Sequence, residues 1–223
     1  TKQSGGIPTE KVQVGFAKAA IEAAKQGLPV FSISADLQGS TGIAPFHKEF
    51  PDQSLDIGVA ESNMVSAAVG MSKAGMIPIV DTFAQFGITK GNLPLIMAGL
   101  SQAPIIGLFS HAGFQDAADG ASHQATSYLS AVSSIPHVTA VVCSCSQEAE
   151  TFLLQAIQKM AKGRENGDDV DSVVFFFGRE NHPVFYGADV KYKWGKIQIL
   201  AEGQDVVILA CGPMVPKALQ ARE

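Results

Sequence analysis

Short, continuous runs of apolar residues alternate along this chain with segments whose apolar residues recur at helical spacing. Continuous runs are typical of strands buried on both faces, whereas a half-exposed strand alternates polar and apolar positions. Helical segments between such runs predict an α/β fold with a doubly wound, mostly parallel sheet and helices on both faces. The predicted strands are 28–35, 55–60, 76–83, 103–110, 138–144, 172–178 and 205–212, and the predicted helices are 9–26, 62–74, 90–102 and 146–161. Thr9 is the expected N-cap of the first helix, and the polar stretch 163–169 is expected to be a surface loop.

The pattern changes near the C-terminus and predicts two domains. The polar stretch 187–196 resembles a domain junction, and it is followed by one further strand and helix. A single strand and helix cannot bury a core, so we expect one domain over 1–187. Residues 188–223 would then be a linker and the start of an incomplete second α/β domain.

Composition narrows the class of protein. Charged residues make up only 17% and hydrophobic residues 46%, which suits a well-buried core. The net charge is −5 without a basic cluster, so neither nucleic acid nor a membrane surface is an expected partner. No run is long enough to span a membrane, no signal peptide is recognisable, and three cysteines do not suggest a disulfide framework, so we expect a cytoplasmic protein. The first residue is not Met, and the true N-terminus is expected upstream.

One carboxylate is unusual in its surroundings. In the stretch DIGVAESNMVSAAVGM (56–71), Glu61 follows a predicted strand and is flanked by apolar residues. Ligands bind at the carboxyl ends of the strands in parallel sheets, so a catalytic or binding role is one interpretation. The other is that Glu61 simply occupies the first turn of a helix, where acids are favoured.

Three further clusters follow predicted strands. Phe83 and Phe86 are either core residues or a pair of rings for a flat heterocycle. The loop SHAGFQDAADGASHQ (110–124) is dense in His and Asp, and its spacing matches no dedicated metal motif, although solvated polar residues remain an alternative. Arg179 suits an anionic or hydroxylated substrate, or is an ordinary surface arginine. The ionisable residues of the loop are His111, Asp116, Asp119 and His123.

These motifs together resemble the pyrimidine-binding domain of the transketolase family. SISADLQGST, VAESNMVSAAVGM, DTFAQF, SHAGFQDAADGASHQ and FFGREN occur in the family's order and spacing. The resemblance covers about residues 8–185, and the tail from about 195 resembles the start of the family's C-terminal domain. It implies the thiamine diphosphate-binding fold and a dimer or a heteromer with a diphosphate-binding domain.

The resemblance also implies roles for individual residues. A glutamate matching Glu61 hydrogen-bonds N1′ of the cofactor's aminopyrimidine and favours the imino tautomer that activates the thiazolium. Burial suits that task because it moves a Glu towards neutral pH. Phe83 and Phe86 would pack on the pyrimidine, and Asp36 would help to hold the cofactor. The substrate, a sugar or sugar phosphate, would meet Ser40, His111, Asp119, His123 and Arg179.

The sequence departs from the family in three places. Glu10 stands where transketolases usually carry a phosphate-binding Arg in the opening helix, and GITKGNLPL (87–95) lacks an Arg that deoxyxylulose-phosphate synthases carry. The G-D-G motif that, with a later Asn, holds Mg²⁺ and the diphosphate is absent, and in the family it lies on the preceding domain. The chain is therefore expected to contain no metal ligands and to form half of an active site, as a fragment or as a separate subunit.

The expected function is transfer of a two-carbon ketol unit between sugars. Two enzyme alternatives are the β-subunit type of a 2-oxo acid dehydrogenase and a deoxyxylulose-phosphate synthase-like enzyme. A degenerate homologue that only assembles or regulates is the non-enzyme alternative. The presence of Glu61 and both phenylalanines argues against the last of these.

Overall fold

A six-stranded parallel sheet forms the centre of the molecule. The structure, a computed structural model, describes residues 8–184 and 192–222. The strands are β1 Thr9–Lys11, β2 Val30–Ser34, β3 Ser54–Asp56, β4 Ile77–Phe83, β5 Ile106–Ser110, β6 Val138–Val142, β7 Ser172–Phe176 and β8 Asn181–Pro183. The strand order in the sheet is β3-β2-β4-β5-β7-β6, and every neighbouring pair is parallel.

Helices cover both faces of this sheet, so the predicted doubly wound α/β fold is confirmed. The helices are α1 Gln13–Lys25, α2 Gln38–Thr41, α3 Ala44–Glu49, α4 Glu61–Lys73, α5 Ala84–Thr89, α6 Asn92–Leu100, α7 Tyr128–Ser133, α8 Ser146–Asn166 and α9 Met214–Ala221, with a 3-10 turn at Pro51–Gln53. One hydrophobic cluster joins the sheet to α1, α3 and α8, and a second joins its opposite face to α4, α5, α6 and α7.

The order in which strands are added to the sheet reverses at β2, which defines where a ligand site is expected. From β2 the chain passes to β3 on one side and then to β4 on the other. A crevice opens at such a switch point, outside the carboxyl ends of the strands. The turns after β2 and β4 therefore border the expected site.

Close helix packing requires a glycine where α1 crosses the start of α8. A Cβ at Gly15 would overlap the Ser146 carbonyl oxygen and come within 2.8 Å of the Glu150 backbone nitrogen. Both neighbours are backbone atoms, which cannot move away cheaply. Phe16, the next residue of α1, contacts Phe175 and Phe177 at ring-centroid distances of 5.1 and 4.8 Å.

Two helix predictions were wrong in detail. Residues 9–11 form β1, which pairs antiparallel with β8, so Thr9 is not an N-cap and Glu10 does not lie in a helix. The predicted helix 90–102 is α6, Asn92–Leu100, which is two residues shorter at each end, and α5, Ala84–Thr89, which precedes it, was not predicted.

Two boundaries also differ for local reasons. β3 ends at Asp56 because the Asp56 carboxylate accepts a hydrogen bond from the Gly58 amide at 2.9 Å and the chain turns with Gly58 at φ 71°. The predicted loop 163–169 is partly helical, since α8 continues to Asn166 and ends at Gly167 with φ 73°.

The predicted strand 205–212 is absent from the described residues. The backbone of this segment pairs with no described strand, and the side chains of Val207 and Leu209 are 83% and 79% exposed. Tail residue Trp194 instead packs against Phe152 of α8 at 5.5 Å between ring centroids. The predicted domain boundary at 187/188 lies outside the described residues and stays a prediction, as does the division into two domains.

Candidate functional site

Four of the predicted site positions lie along one edge of the sheet. β2, β4, β5 and β7 are consecutive neighbours in the sheet. Asp36, His111 and Arg179 follow the carboxyl ends of β2, β5 and β7, and Phe83 is the last residue of β4. Phe83 lies directly opposite Ser110 in the sheet register. The parallel topology thus brings together residues that are more than 140 positions apart in the sequence.

Glu61 is a buried carboxylate without a partner among the residues that the structure describes. It is the first residue of α4, and it is only 4% exposed. No hydrogen bond or ion pair from residues 8–184 or 192–222 reaches it. The partial positive charge of a helix N-terminus favours an acid here. Burial without a partner costs free energy, and a ligand atom that exchanges a proton with the carboxyl group would offset that cost.

Two phenylalanines and two histidines form a ring cluster beside this edge. The Phe83 and Phe86 rings lie 6.4 Å apart with planes 23° from parallel. His111 packs on Phe83 at 4.1 Å, and His123 approaches Phe86 edge-on at 5.0 Å with an interplanar angle of 82°. The two sequence segments that carry these four rings therefore meet at this edge. Phe83 is only 8% exposed, whereas Phe86 is half-buried and suits a flat heterocycle.

His111 is held neutral near pH 7 in this cluster. Burial lowers its pKa below 6.5, and Arg179 and Lys11 lower it further, whereas Asp116 and Asp119 oppose the shift. Its Nδ1 lies 2.9 Å from the Ser110 hydroxyl oxygen, and its backbone is left-handed at φ 59°. A neutral imidazole can both donate and accept a hydrogen bond, which suits a ligand hydroxyl.

Arg179 has an internal partner that the sequence interpretation did not assign. Its guanidinium donates from Nη1 to Asp116 Oδ1 at 2.9 Å, and its backbone amide donates to Gln115 Oε1 at 3.0 Å. Asp116 is fully buried, while 42% of the Arg179 side chain is exposed. Gly178 permits this approach, because a Cβ there would overlap the Gln115 amide. The signal available in the sequence was an acid in the loop after β5 and an Arg after β7, the strand that pairs with β5.

The turn after β2 carries two of the predicted positions, Asp36 and Ser40. Asp36 is exposed with φ 60°, and its amide donates to Asp56 Oδ1 at 3.1 Å. Ser40 is also exposed, and its carbonyl accepts a hydrogen bond from Gln13 Nε2 at 3.3 Å. Gly42 ends α2 at φ 87° and lies against the Gln13 side chain, where a Cβ would overlap it.

A buried acid under this turn was missed by the sequence interpretation. Asp81 lies within β4 and is completely buried; its Oδ2 accepts a hydrogen bond from the Ser34 hydroxyl at 2.9 Å and lies 2.7 Å from the Thr41 hydroxyl oxygen. Burial raises its pKa to about 7, the hydroxyl hydrogen bonds oppose the rise, and the charge of Asp56 adds to it. The available signal was a lone acid inside the apolar strand IPIVDTF.

The described ranges contain neither a cluster of metal ligands nor a membrane-spanning helix. No three His, Cys, Asp or Glu residues of 8–184 and 192–222 are grouped so that they could hold a metal ion. Within the same ranges, no helix combines the length and the apolar character needed to cross a bilayer.

Comparisons with known proteins agree with this architecture. The family model for "Transketolase, pyrimidine binding domain" matches residues 11–183. A 1-deoxy-D-xylulose-5-phosphate synthase of Clostridium acetobutylicum is 26% identical over 221 residues, which cover 97% of this chain and 33% of the synthase. A putative transketolase C-terminal section of Methanocaldococcus jannaschii is 28% identical over 212 residues, which cover 94% of this chain and 64% of that protein. This chain thus spans one third of the length of the first relative and less than two thirds of the second.

Solved structures extend the similarity to three dimensions. A split gene transketolase, described as an inactive beta4 tetramer, superposes with a TM-score of 0.79 at 28% identity and covers 97% of this chain and 67% of that one. Transketolase from Campylobacter jejuni shares the fold, with a TM-score of 0.67 at 17% identity over 86% of this chain and 29% of that one. With the family model matching most of its length, this chain belongs to the transketolase family through its pyrimidine-binding domain.

Proposed function

We propose that this chain forms the pyrimidine-binding half of the active site of a thiamine diphosphate-dependent transketolase, which transfers a two-carbon ketol unit between sugars. Domains of this family generally bind thiamine diphosphate. The observation that carries the proposal is Glu61, a 4% exposed carboxylate at a helix start. Within the described chain it has no hydrogen-bond partner of its own.

In this proposal Glu61 exchanges a proton with the ring nitrogen N1′ of the aminopyrimidine. When bound, thiamine diphosphate supplies the carbon centre that takes up the two-carbon unit. Glu61 holds the pyrimidine in register and keeps a proton at N1′, and its buried position excludes water from that hydrogen bond. Phe83 and Phe86 pack against the flat ring, and Asp36 borders the cofactor side of the site at the end of β2.

His111 and His123, with Asp119, are proposed to meet the sugar hydroxyls. Both imidazoles lie against the aromatic pair that would hold the cofactor ring, so a substrate bound to that cofactor passes beside them. His111 is neutral near pH 7, since burial lowers its pKa. Ser40 and Arg179 are assigned to the far end of the substrate.

Charge balance supports a neutral, hydroxylated far end rather than a phosphate. Two acids, Asp116 and Asp119, oppose the effect of the two bases, Arg179 and Lys11, on the pKa of His111, so positive charge beside this imidazole is accompanied by negative charge. Arg179 is also engaged by the buried Asp116 at 2.9 Å. Sugars without a phosphate group are therefore the proposed substrates of first choice.

The other half of the site is proposed to lie on a diphosphate-binding domain that also carries the Mg²⁺ ligands. That domain would be on the same polypeptide or on a second subunit, in a homodimer or a heteromer. Large exposed apolar side chains support such an assembly: Val59 and Phe114 lie in the loops after β3 and β5, Leu93, Met97 and Leu100 lie on α6, and all are between 51% and 76% exposed. The names of the relatives, a C-terminal section and a split gene transketolase tetramer, point to multi-subunit assembly in those proteins.

A synthase-like reaction is the second candidate. It is supported by the match to 1-deoxy-D-xylulose-5-phosphate synthase, which covers 97% of this chain. A 1-deoxy ketose ends in a methyl group, so its two-carbon unit comes from a 2-oxo acid that loses CO₂ rather than from a ketose. Offering the complete enzyme a ketose or a 2-oxo acid donor, with release of CO₂ as the readout, separates the two. The dehydrogenase alternative also begins with a 2-oxo acid and fails the same ketose test.

The proposal is tested by Glu61→Gln in the complete enzyme. Gln keeps the size and can still hydrogen-bond N1′, but it cannot exchange the proton, so cofactor binding should persist. Deuterium exchange at C2 of the bound cofactor, followed by NMR, should slow by a factor on the order of 10²–10⁴. Exchange at the wild-type rate would reduce Glu61 to a helix-start residue and remove the central support of the proposal.

His123→Ala is the matched control for this experiment. It should leave C2 exchange unchanged, because His123 is assigned to the substrate, and it should raise the KM for the sugar or lower kcat. If both variants lost C2 exchange equally, the division of roles between the two loops would be wrong.

A further inference from the structure

Asp81 and its neighbours form a closed circuit of hydrogen bonds beneath the turn that carries Ser40. The Leu37 amide donates to Ser34 Oγ at 3.1 Å, and the Ser34 hydroxyl donates to Asp81 Oδ2 at 2.9 Å. Thr41 Oγ1 lies 2.7 Å from the same Oδ2 and 3.0 Å from the Leu37 carbonyl oxygen. The circuit therefore starts and ends on Leu37 and closes through a side chain of β4.

The number of hydrogens available decides whether the neutral or the ionised form of Asp81 completes this circuit of hydrogen bonds. The Thr41 hydroxyl has a single hydrogen but lies within bonding distance of two acceptors, the Leu37 carbonyl and Asp81 Oδ2. If Oδ2 carries a proton, it donates to Thr41, and Thr41 donates to Leu37. If Asp81 is ionised, Thr41 must turn its hydrogen to Asp81, and its bond to Leu37 is lost.

The surroundings of Asp81 oppose a charge. The residue is completely buried, its Oδ1 has no partner in the described chain, and no cation faces it there. Asp56 acts on it from the end of β3, and Ser34 stands between the two acids in the sheet register. The spans of β2, α2, β5 and α5, which pack against β4, contain no ionisable side chain. The remaining ionisable residues on elements that contact β4 are Glu61 and Lys73 on α4 and Glu148, Glu150, Lys159, Lys162, Arg164 and Glu165 on α8, and on the same sheet face His47 bonds Ser32.

We propose that Asp81 is a protonated carboxylic acid below neutral pH and acts as a pH-dependent latch on the turn 37–41. While Asp81, as a positioning residue, is protonated, all hydrogen bonds of the circuit form and the turn is held in place. When Asp81 ionises, the turn loses the hydrogen bond from the Thr41 hydroxyl to the Leu37 carbonyl. Because burial raises the pKa of Asp81 to about 7, the latch opens as the pH rises through neutrality. The latch itself does not depend on the proposed function; only its effect on substrate binding, through Ser40, does.

Backbone hydrogen exchange of the complete protein between pH 5 and 9 tests the latch without any turnover. After correction for intrinsic exchange, the protection of the Leu37 and Thr41 amides should fall about 3- to 10-fold as the pH rises through about 7, the loss expected for one hydrogen bond. Asp81→Asn keeps a neutral, hydrogen-bonding group of the same shape, so the protection of the Leu37 and Thr41 amides in this variant should be independent of pH. Protection that is flat in the wild type, or that falls equally in Asp81→Asn, would overturn the proposal.

Asp56→Asn provides a second variant that leaves Asp81 in place. Asn keeps the acceptor for the Asp36 and Gly58 amides but removes the charge that favours the protonated form of Asp81. The midpoint of the exchange transition should move to lower pH. An unchanged midpoint would overturn the assignment of the transition to Asp81, whatever the outcome of the enzyme assays.

Discussion

Removal of the Arg179 side chain should destabilise the fold more than removal of the charge on its partner. In Arg179→Leu the carboxylate of Asp116, which is fully buried, loses its one ionic partner at Oδ1, and Oδ2 already has none in the described chain. In Asp116→Asn the amide oxygen still accepts from Arg179, and the guanidinium, whose side chain is 42% exposed, keeps access to water. The asymmetry in burial therefore predicts an asymmetry in cost.

The expected magnitudes follow from that geometry. Breaking a fully buried pair from one side costs about 3–5 kcal/mol, and exposed pairs are worth at most about 1 kcal/mol. Because Arg179 is partly exposed, we expect Arg179→Leu to lower the free energy of unfolding by about 2–3 kcal/mol and Asp116→Asn by about 1 kcal/mol or less. In the double variant the orphaned group is a neutral amide, so the cost of Arg179→Leu should fall by about 1–2 kcal/mol.

Equilibrium urea unfolding of the four proteins at one protein concentration measures these differences, provided that the m-values agree. The double-mutant cycle then gives the coupling between the two side chains. Additivity within about 0.5 kcal/mol would refute the reasoning, since residues in contact couple by more than that. It would also remove the argument that Asp116 engages the cation of Arg179.

Two further predictions concern packing and completeness. Gly15→Ala should lower the free energy of unfolding by about 1–3 kcal/mol, because its Cβ would overlap the Ser146 carbonyl. Gly70→Ala in α4 has nothing within 4 Å of its Cβ and should raise the free energy of unfolding by up to about 1 kcal/mol. Urea unfolding curves of the two variants that shift in the same direction would contradict the packing argument. The isolated 223-residue chain, supplied with thiamine diphosphate and Mg²⁺, should show no ketol transfer in a coupled sugar assay, and measurable turnover would rule out the proposed division of the site.

Local pattern was sufficient for the central elements of the fold. Buried parallel strands need apolar residues on both faces, so runs such as IPIV and IIGLFS identify themselves. The same reasoning failed where a glycine or a pairing partner decided the outcome. Thr9 to Lys11 became a strand because β8, which lies 170 residues later, offers them backbone partners. Apolar residues 205–212 remained unpaired because no described strand does the same for them.

The sequence by itself determined the residue types available at the site: a lone Glu61 among apolar neighbours, a pair of phenylalanines, a loop rich in His and Asp, and an Arg after a strand. Tertiary structure alone decided how they combine. The sheet register placed Ser34 beside Asp81 and Asp56, and the loop after β5 turned Asp116 inwards onto Arg179. Charge and hydrogen-bonding capacity are properties of a residue and can be counted along a chain. Burial and partnership depend on which distant segments the fold brings within a few ångströms, and these fix whether a carboxylate such as Asp81 holds a proton.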